Sequence, residues 1–138
     1  MGVEDVVEFI ESKCESARLA KPLQNQHRVV LKILDNPARY GVPLPIKHCF
    51  EGVELRGKKG TLITEIDAVF VSEHHIAGVE VKTNYNKFSK AKASWQLDRF
   101  HEIITRRFGI TPLLYIAHGL PNTDNLRGYH YEPTKLER

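Results

Sequence analysis

The sequence has few of the residues that build covalent or metal-based scaffolds. Its two cysteines, Cys14 and Cys49, are far apart and form no C-x-x-C pair. This spacing argues against a disulfide framework, a zinc ribbon and a four-cysteine iron–sulfur cluster. The seven histidines contain no H-E-x-x-H pattern and form no convincing zinc set. We therefore expect two reduced thiols and no structural zinc.

Long apolar runs and nucleotide-binding motifs are also missing. No stretch approaches the roughly 20 apolar residues needed to cross a bilayer, and the acidic N-terminus lacks the order of a signal peptide. There is no G-x-x-x-x-G-K-(S/T) for ATP and no G-x-S-x-G for a serine hydrolase. These absences predict a cytoplasmic protein with no membrane partner and no nucleotide cofactor.

The remaining composition is that of one globular domain over residues 1–138. The chain is 41% hydrophobic and 27% charged, with a net charge of +3, which suits a single core. Apolar spacing predicts helices over 3–20, from Pro22 to Asp35 and over about 89–108, and strands over about 48–55, 62–72, 76–83 and 111–117. This order predicts an α/β sandwich in which helices flank a central mixed sheet.

Two of these strands are apolar on both faces, which is typical of the middle of a covered sheet. Simple alternation places Ile66, Ala68 and Phe70 on one face and Val69 and Val71 on the other. The long helix that follows presents an apolar stripe, which we expect to be buried against the sheet. Its members are Ala93, Leu97, Phe100, Ile104 and Phe108.

The hairpin between these strands brings three charged residues together. If the chain turns around Glu73-His74, Phe70 pairs with Ala77 and Asp67 pairs with Glu80. Opposed residues in antiparallel strands share a face, and Lys82 lies two residues beyond Glu80 on that same face. Charged groups are rare in apolar strands unless they are paired or bind a metal. An ion pair between Lys82 and the two acids is the simplest structural explanation.

The same cluster has the parts of a divalent-metal site. Asp67, Glu80 and the backbone carbonyl of Val81 offer the oxygen ligands that Mg²⁺ prefers. A metal there would lower the pKa of a bound water and neutralise charge on a phosphate. Lys82 would position that water or stabilise the transition state. The cluster therefore predicts hydrolysis of a phosphodiester bond.

Basic residues surround this predicted site. No acidic residue occurs from Lys82 to Gln96, and a second basic segment forms a turn before the hairpin. Such residues suit contacts with DNA phosphates, although any one of them is equally explained as a solvated surface charge. The predicted DNA contacts are Lys58, Lys59, Lys87, Lys90 and Lys92.

The spacing Asp-x12-Glu-x-Lys, formed by Asp67, Glu80 and Lys82 on a hairpin, resembles that of the PD-(D/E)xK nuclease superfamily. The likeness extends over about residues 24–118. It implies a restriction-endonuclease-like αβββαβ core with an extra N-terminal helix, and a Mg²⁺- or Mn²⁺-dependent deoxyribonuclease. It also implies that Gln96, in a Q-x-x-x-(Y/F) motif, faces the catalytic site or DNA while Phe100 packs below.

The chain departs from this family pattern in the helix before the sheet, which lacks the usual glutamate. Gln26 stands where that acid is expected, and His27 is the next candidate. Glu65, near Asp67 on the same strand, is another source of a metal-binding carboxylate. The missing glutamate leaves open a poorly active or inactive domain.

Several functional versions follow from the resemblance. The chain is similar to nuclease-related-domain and RecB-like nucleases, to archaeal-type Holliday-junction resolvases, and to restriction-like endonucleases. A resolvase would act as a homodimer, because it cuts two strands symmetrically. The alternative from another class is a catalytically inactive DNA-binding module on the same fold. The missing helix glutamate favours that module, whereas the retained Asp67, Glu80 and Lys82 favour the enzyme.

Overall fold

The computed structural model of the chain describes residues 2–13, 24–56, 62–82, 86–119 and 126–133. The helices are α1 (Val3–Lys13), α2 (Gln24–Asp35), a 3₁₀ helix (Pro37–Tyr40) and α3 (Lys87–Phe108). The strands are β1 (Ile46–Arg56), β2 (Leu62–Ser72), β3 (Ile76–Lys82), β4 (Leu113–His118) and β5 (Arg127–His130). Among the described helices, none is both long enough and apolar enough to span a bilayer.

The strands form one mixed sheet in the order β1-β2-β3-β4-β5. Strands β3 and β4 are parallel, while the β1–β2, β2–β3 and β4–β5 pairs are antiparallel. Helix α3 makes the crossover between the two parallel strands, as a parallel pair requires. The prediction of an α/β fold with a mixed sheet flanked by helices is confirmed.

Two apolar clusters cover the two faces of this sheet. One contains residues of α1 and α3, and the other contains residues of α2 and Tyr40 of the 3₁₀ helix. All five residues of the predicted apolar face of α3 are buried. The helix begins at Lys87 rather than Ser89, because Asn86 and Ser89 form a capping box. Gly109 ends it in the left-handed conformation, with φ 67°.

The predicted alternation of side chains in β2 is wrong at one point. Ile66 lies in the same cluster as Val69 and Val71, whereas Ala68 and Phe70 lie in the cluster on the other face. Strict alternation would put Ile66 with Ala68 and Phe70. The alternation in β2 therefore changes phase between Ile66 and Ala68, at the position of Asp67.

Gly52 provides the physical reason for this change of phase. The β1–β2 partners Glu51–Ala68 and Val53–Ile66 place Gly52 opposite Asp67. Gly52 has φ 60°, a left-handed conformation that glycine adopts without a steric penalty. The irregular backbone at this point reorients both strands without changing their register. As a result, Asp67 lies at a break in the regular pleat.

Other predictions differ from the structure at element ends and outside the central strands. Strand β1 begins at Ile46 rather than His48, and β4 covers Leu113–His118 rather than 111–117. Strand β5 was not predicted, because its sequence is short and polar. Residues 14–23 and the basic turn with Lys58 and Lys59 lie outside the described residues.

The described cysteine, Cys49, is a free thiol on β1. Burial, with a smaller contribution from the charge of Glu51, raises the pKa of this thiol to about 12. Because the thiolate is the reactive form of cysteine, Cys49 is an inert thiol. Cys14 lies outside the described residues.

Candidate active site

The β2–β3 hairpin has the predicted register. Phe70 pairs with Ala77, and the regular ladder continues to the pair formed by Ala68 and Val79. The ladder ends there, and Asp67 and Glu80 are the next positions along the two strands. A short turn fixes this register, since the backbone N–H of Ser72 donates to the carbonyl of His75 over 3.0 Å.

At Asp67 and Glu80, side chains accept hydrogen bonds from the backbones of the opposite strands. The backbone N–H of Asp67 donates to Glu80 Oε1 over 3.3 Å. In return, the backbone N–H of Val81 donates to Asp67 Oδ2 over 2.7 Å. This reciprocal pair of bonds holds both carboxylates between β2 and β3, at the break in the pleat of β2.

Glu80 has an environment that disfavours its charge. Its side chain has no solvent exposure (0%). Burial, followed by the nearby charge of Asp67, raises the pKa of Glu80 well above the ordinary value for a carboxyl group. Its Oε2 atom accepts no hydrogen bond within the described part of the chain. Glu80 is therefore a buried carboxyl group with one oxygen that makes no hydrogen bond to the described residues.

Lys82 compensates only partly for the unfavourable burial of the Glu80 charge. Its Nζ atom lies 3.6 Å from Glu80 Oε2, and the lysine side chain is 16% exposed. The positive charge of Lys82 acts to lower the pKa of Glu80, yet burial and Asp67 outweigh it. The ion pair alone therefore does not compensate for the burial of Glu80 beside Asp67.

The donor set fits a hard divalent cation. Mg²⁺ is commonly held by one or two carboxylates together with waters and substrate phosphates. Asp67 and Glu80 supply two carboxylates, and the carbonyl of Val81 lies on the same side of β3 as the N–H that binds Asp67. Within the described residues, no group of three or more His, Cys, Asp or Glu side chains is gathered around one point. The protein side of the site is thus a carboxylate pair and a carbonyl.

Glu65 shares the electrostatic environment of this pair. Partial burial, followed by the charges of Asp67 and Glu54, raises the pKa of Glu65, while Lys92 and Lys82 act to lower it. Of the predicted further metal ligands, Glu65 is therefore close enough to interact with Asp67. The side chain of Gln26 lies outside the described part of the chain.

His27, the other candidate from α2, interacts with a different residue. Its Nδ1 atom lies 3.0 Å from both carboxylate oxygens of Glu51 on β1. Glu51 is paired with Ala68, whose side chain packs on the face that α2 covers. The contact joins α2 to β1.

The packing of α3 on the sheet sets the position of Gln96. Because β3 and β4 are parallel, the helix that joins them runs antiparallel to β3. Phe100 packs on Gly78, where an added Cβ would lie 2.7 Å from the ring. One helical turn back from Phe100 covers about 5.4 Å, and two residues forward along β3 cover about 6.6 Å. These steps place Gln96 on the face of the sheet that α3 covers, toward the end of β3 that carries Glu80.

The contacts of Gln96 agree with that position. The hydroxyl of Thr64 on β2 donates to the backbone carbonyl of Gln96 over 3.1 Å. The Gln96 side chain is buried, with 8% exposure, and its Oε1 atom has no hydrogen-bond partner among the described residues. An unsatisfied buried amide therefore lies on the same face of the sheet as the unsatisfied oxygen of Glu80.

The sequence analysis did not predict that two further basic residues lie next to Lys82. In the sheet register Lys82 pairs with His118 on β4, and His118 pairs with Arg127 on β5. Paired residues share a face, so the three basic residues form a row across the end of the sheet. The β-α-β order is a signal that could have placed the last strand parallel to β3, but the predicted strand ended at residue 117. Nothing in the sequence indicated that Arg127 belongs to a strand.

The predicted lysines of α3 lie in its first two turns, and the side chains of Lys87, Lys90 and Lys92 are exposed.

Comparison of the chain with protein-family models, with curated proteins and with solved structures finds no match. The functional interpretation therefore depends on the geometry of Asp67, Glu80 and Lys82 and on the residues around them.

Proposed function

We propose that the chain is a Mg²⁺- or Mn²⁺-dependent nuclease of the PD-(D/E)xK type that hydrolyses DNA phosphodiester bonds. The observation that carries the proposal is the fully buried Glu80 beside Asp67, with the ammonium of Lys82 3.6 Å away. Burying a charged group costs several kcal/mol even after the protein relaxes around it. Binding of a cation by these residues would offset the free-energy cost of burying the charge of Glu80.

The order of elements also supports this type of fold. Helix α2, strands β1 to β3, helix α3 and strand β4 follow one another as in an αβββαβ core. Helix α1 and strand β5 are additions at the two ends. The carboxylate pair and Lys82 lie on the hairpin formed by β2 and β3.

Each residue of the site has a role in the proposed reaction. Asp67, Glu80 and the carbonyl of Val81 would hold the metal, with Glu65 as a further carboxylate nearby. When bound, Mg²⁺ or Mn²⁺ supplies a water of lowered pKa and neutralises phosphate charge. Lys82, held in place by Glu80, would donate hydrogen bonds to the attacking water or to a non-bridging phosphate oxygen.

Gln96 would complete the site from the side of α3. Its buried amide carries donor hydrogens and an unsatisfied oxygen. In the proposed reaction this amide would orient the water or a phosphate oxygen without adding charge. Because Thr64 anchors the backbone of Gln96 to β2, the helix and the carboxylates would stay in a fixed relation.

Two basic surfaces would bind the DNA backbone. Exposed lysines occupy the first turns of α3, and the row formed by Lys82, His118 and Arg127 crosses the end of the sheet. Cations that replace condensed counterions on phosphates supply most sequence-independent affinity for DNA. The proposed nuclease would therefore bind DNA mainly through its backbone.

A cleavage assay tests the proposed function. Linear duplex, single-stranded DNA, supercoiled plasmid and a four-way junction would be incubated with the protein and Mg²⁺ or Mn²⁺. We expect metal-dependent cleavage that falls by about 100-fold or more in Asp67→Asn and Lys82→Ala, since each removes a group acting on the reacting phosphate. Preference for the four-way junction would identify a resolvase.

The control variant is Lys47→Ala, which removes an exposed lysine of β1. Lys47 follows Ile46, which pairs with Ser72 at the hairpin end of the sheet, far from Asp67. Cleavage should be unchanged in this variant. If the wild type cuts none of the substrates, or the Asp67 and Lys82 variants cut equally well, the proposed catalysis is contradicted and a non-catalytic DNA-binding module becomes the better account.

A further inference from the structure

We propose that an exposed stripe on α3, formed by Phe88, Lys92, Trp95 and Arg99, binds unpaired nucleotides beside the candidate active site. We refer to these four residues as the α3 stripe. The inference rests on the proposed nuclease function, for which it names a substrate class, single-stranded nucleic acid. It depends on side chains that neither hold the metal nor contact the reacting phosphate.

The four residues lie on one face of the helix. They are separated by four, three and four positions, the intervals at which side chains stack along one side of an α-helix. The buried stripe of α3 faces the sheet, so this second stripe faces away from the core. Phe88 is 86% exposed and Trp95 is 52% exposed.

Cations alternate with the aromatic rings along the α3 stripe. Lys92 lies between Phe88 and Trp95, and the guanidinium of Arg99 lies over the Trp95 ring, 4.6 Å from its centroid. Such cation–π contacts orient a ring and leave its other face open for a ligand. The two aromatic rings are seven residues apart, which corresponds to about 10 Å along the helix.

The α3 stripe is connected to the candidate active site through Lys92. The charge of Lys92 acts on Glu65, which also interacts with Asp67 and Lys82. Trp95 immediately precedes Gln96, whose backbone carbonyl accepts a hydrogen bond from Thr64 of β2, the residue before Glu65. A strand bound along the stripe would therefore lie close to Glu65, which neighbours Asp67 on β2.

The chemistry of the stripe matches unpaired nucleotides better than the alternatives. Exposed rings stack on the faces of bases, and interleaved cations pair with phosphates, as in grooves that bind single strands. The bases of a duplex are already stacked on one another, so a duplex would use only the cations. A second copy of the chain would bring the same positive charges together, which opposes self-association through this surface.

Trp95 is the chain's one tryptophan, so intrinsic fluorescence reports directly on this surface. The protein would be titrated in EDTA, where cleavage is absent, with oligo-dT, oligo-U and a duplex of equal length. We expect both single strands to quench Trp95, and the stronger quencher of the two distinguishes DNA from RNA as the source. The duplex should quench much less.

Variants then test each ring by fluorescence anisotropy of labelled oligonucleotides. Phe88→Ala and Trp95→Ala should each weaken single-strand binding by about 5-fold to 100-fold, the range for loss of one stacked base, with a much smaller effect on the duplex. The control is Leu31→Ala, which removes an apolar side chain on α2 that is 50% exposed. It should bind like the wild type.

The outcomes separate this inference from the proposed function. Quenching by single strands in a protein that cuts nothing supports the α3 stripe and contradicts the nuclease. Cleavage without quenching, and with unchanged binding in both ring variants, overturns the α3 stripe and leaves the nuclease intact. Self-association that Phe88→Ala abolishes, without quenching by oligonucleotides, also overturns it and assigns the surface to a second copy.

Discussion

Glu80 shows how the candidate site affects folding. Its pKa is raised well above 4.5 by burial and by Asp67, so the folded chain holds this proton more tightly than the unfolded chain does. The stabilising effect of that proton is complete below about pH 4.5 and is lost as the pH rises through the raised pKa. At neutral pH the metal-free protein must therefore either bury a charge or take up a proton.

Replacing Glu80 with glutamine should stabilise the metal-free protein at high pH. The amide keeps an acceptor for the backbone N–H of Asp67 but carries no charge. We expect the free energy of unfolding of Glu80→Gln at pH 8 to exceed that of the wild type, since the wild type must bury a charge or take up a proton at that pH. Urea unfolding in EDTA at pH 8 and pH 4.5 measures the difference, which should disappear at the lower pH.

Glu73→Gln is the matched control for this prediction, because it removes the same charge from the exposed turn of the same hairpin. Its stability should stay within about 0.5 kcal/mol of the wild type at both pH values. A wild type that is as stable as Glu80→Gln at pH 8 would mean that Lys82 compensates fully for the buried carboxylate.

The positions of these residues were predictable because the hairpin is local. A short turn at Glu73-His74 sets the register, and from that register Asp67 and Glu80 must face each other. The neighbours of Lys82 were harder to predict. His118 reaches it only through the parallel pairing of β3 with β4, which depends on the whole crossover, and Arg127 lies in a strand with no apolar pattern.

At the scale of elements, the packing of α3 on β3 sets the position of Gln96. Gly78 lets Phe100 approach the sheet, because a Cβ at this position would lie 2.7 Å from the Phe100 ring. Phe100 is fully buried, so its ring has little room to move aside. The distance between helix and sheet at the candidate site therefore depends on a missing side chain two residues before Glu80.

Gly78→Ala should destabilise the protein and displace α3. Overpacking of this kind costs about 1–3 kcal/mol, and the shift would carry Gln96 away from Glu80. Thermal or urea unfolding measures the stability, and the cleavage assay measures the effect on the site. Gly2→Ala is the control, because an added Cβ there has no described atom within 4 Å. Equal stability of Gly78→Ala and the wild type would contradict the close packing of Phe100.

The elements themselves were largely predictable from apolar spacing. The buried face of α3 and the two central strands have strong apolar patterns, and their predicted positions agree with the structure. The change of phase in β2 was not predictable from β2 alone, because its cause is the left-handed Gly52 on the neighbouring strand. Strand β5 has no apolar pattern because it lies at the edge of the sheet. Of its four residues, only Gly128 is not exposed.

For the molecule as a whole, the net charge of +3 is small, and the distribution of charge matters more. Asp67 and the buried Glu80 lie at the break in the pleat of β2, while basic residues occupy the start of α3 and the end of β3, β4 and β5. This arrangement gives a negative centre with positive surroundings, which suits a cation at the centre and a polyanion around it. The proposed function accounts for both parts.

Metal binding by Asp67 and Glu80 is the claim on which the rest of the account depends. The most direct measurement is the melting temperature of the wild type, Glu80→Gln and Asp67→Asn as Mn²⁺ is added at pH 8. We predict that Mn²⁺ stabilises the wild type, by about 2.7 kcal/mol when its concentration reaches 100 times Kd, and leaves both variants unchanged. A wild type that does not respond to Mn²⁺, or variants that respond equally, would contradict the assignment of these carboxylates as a metal site.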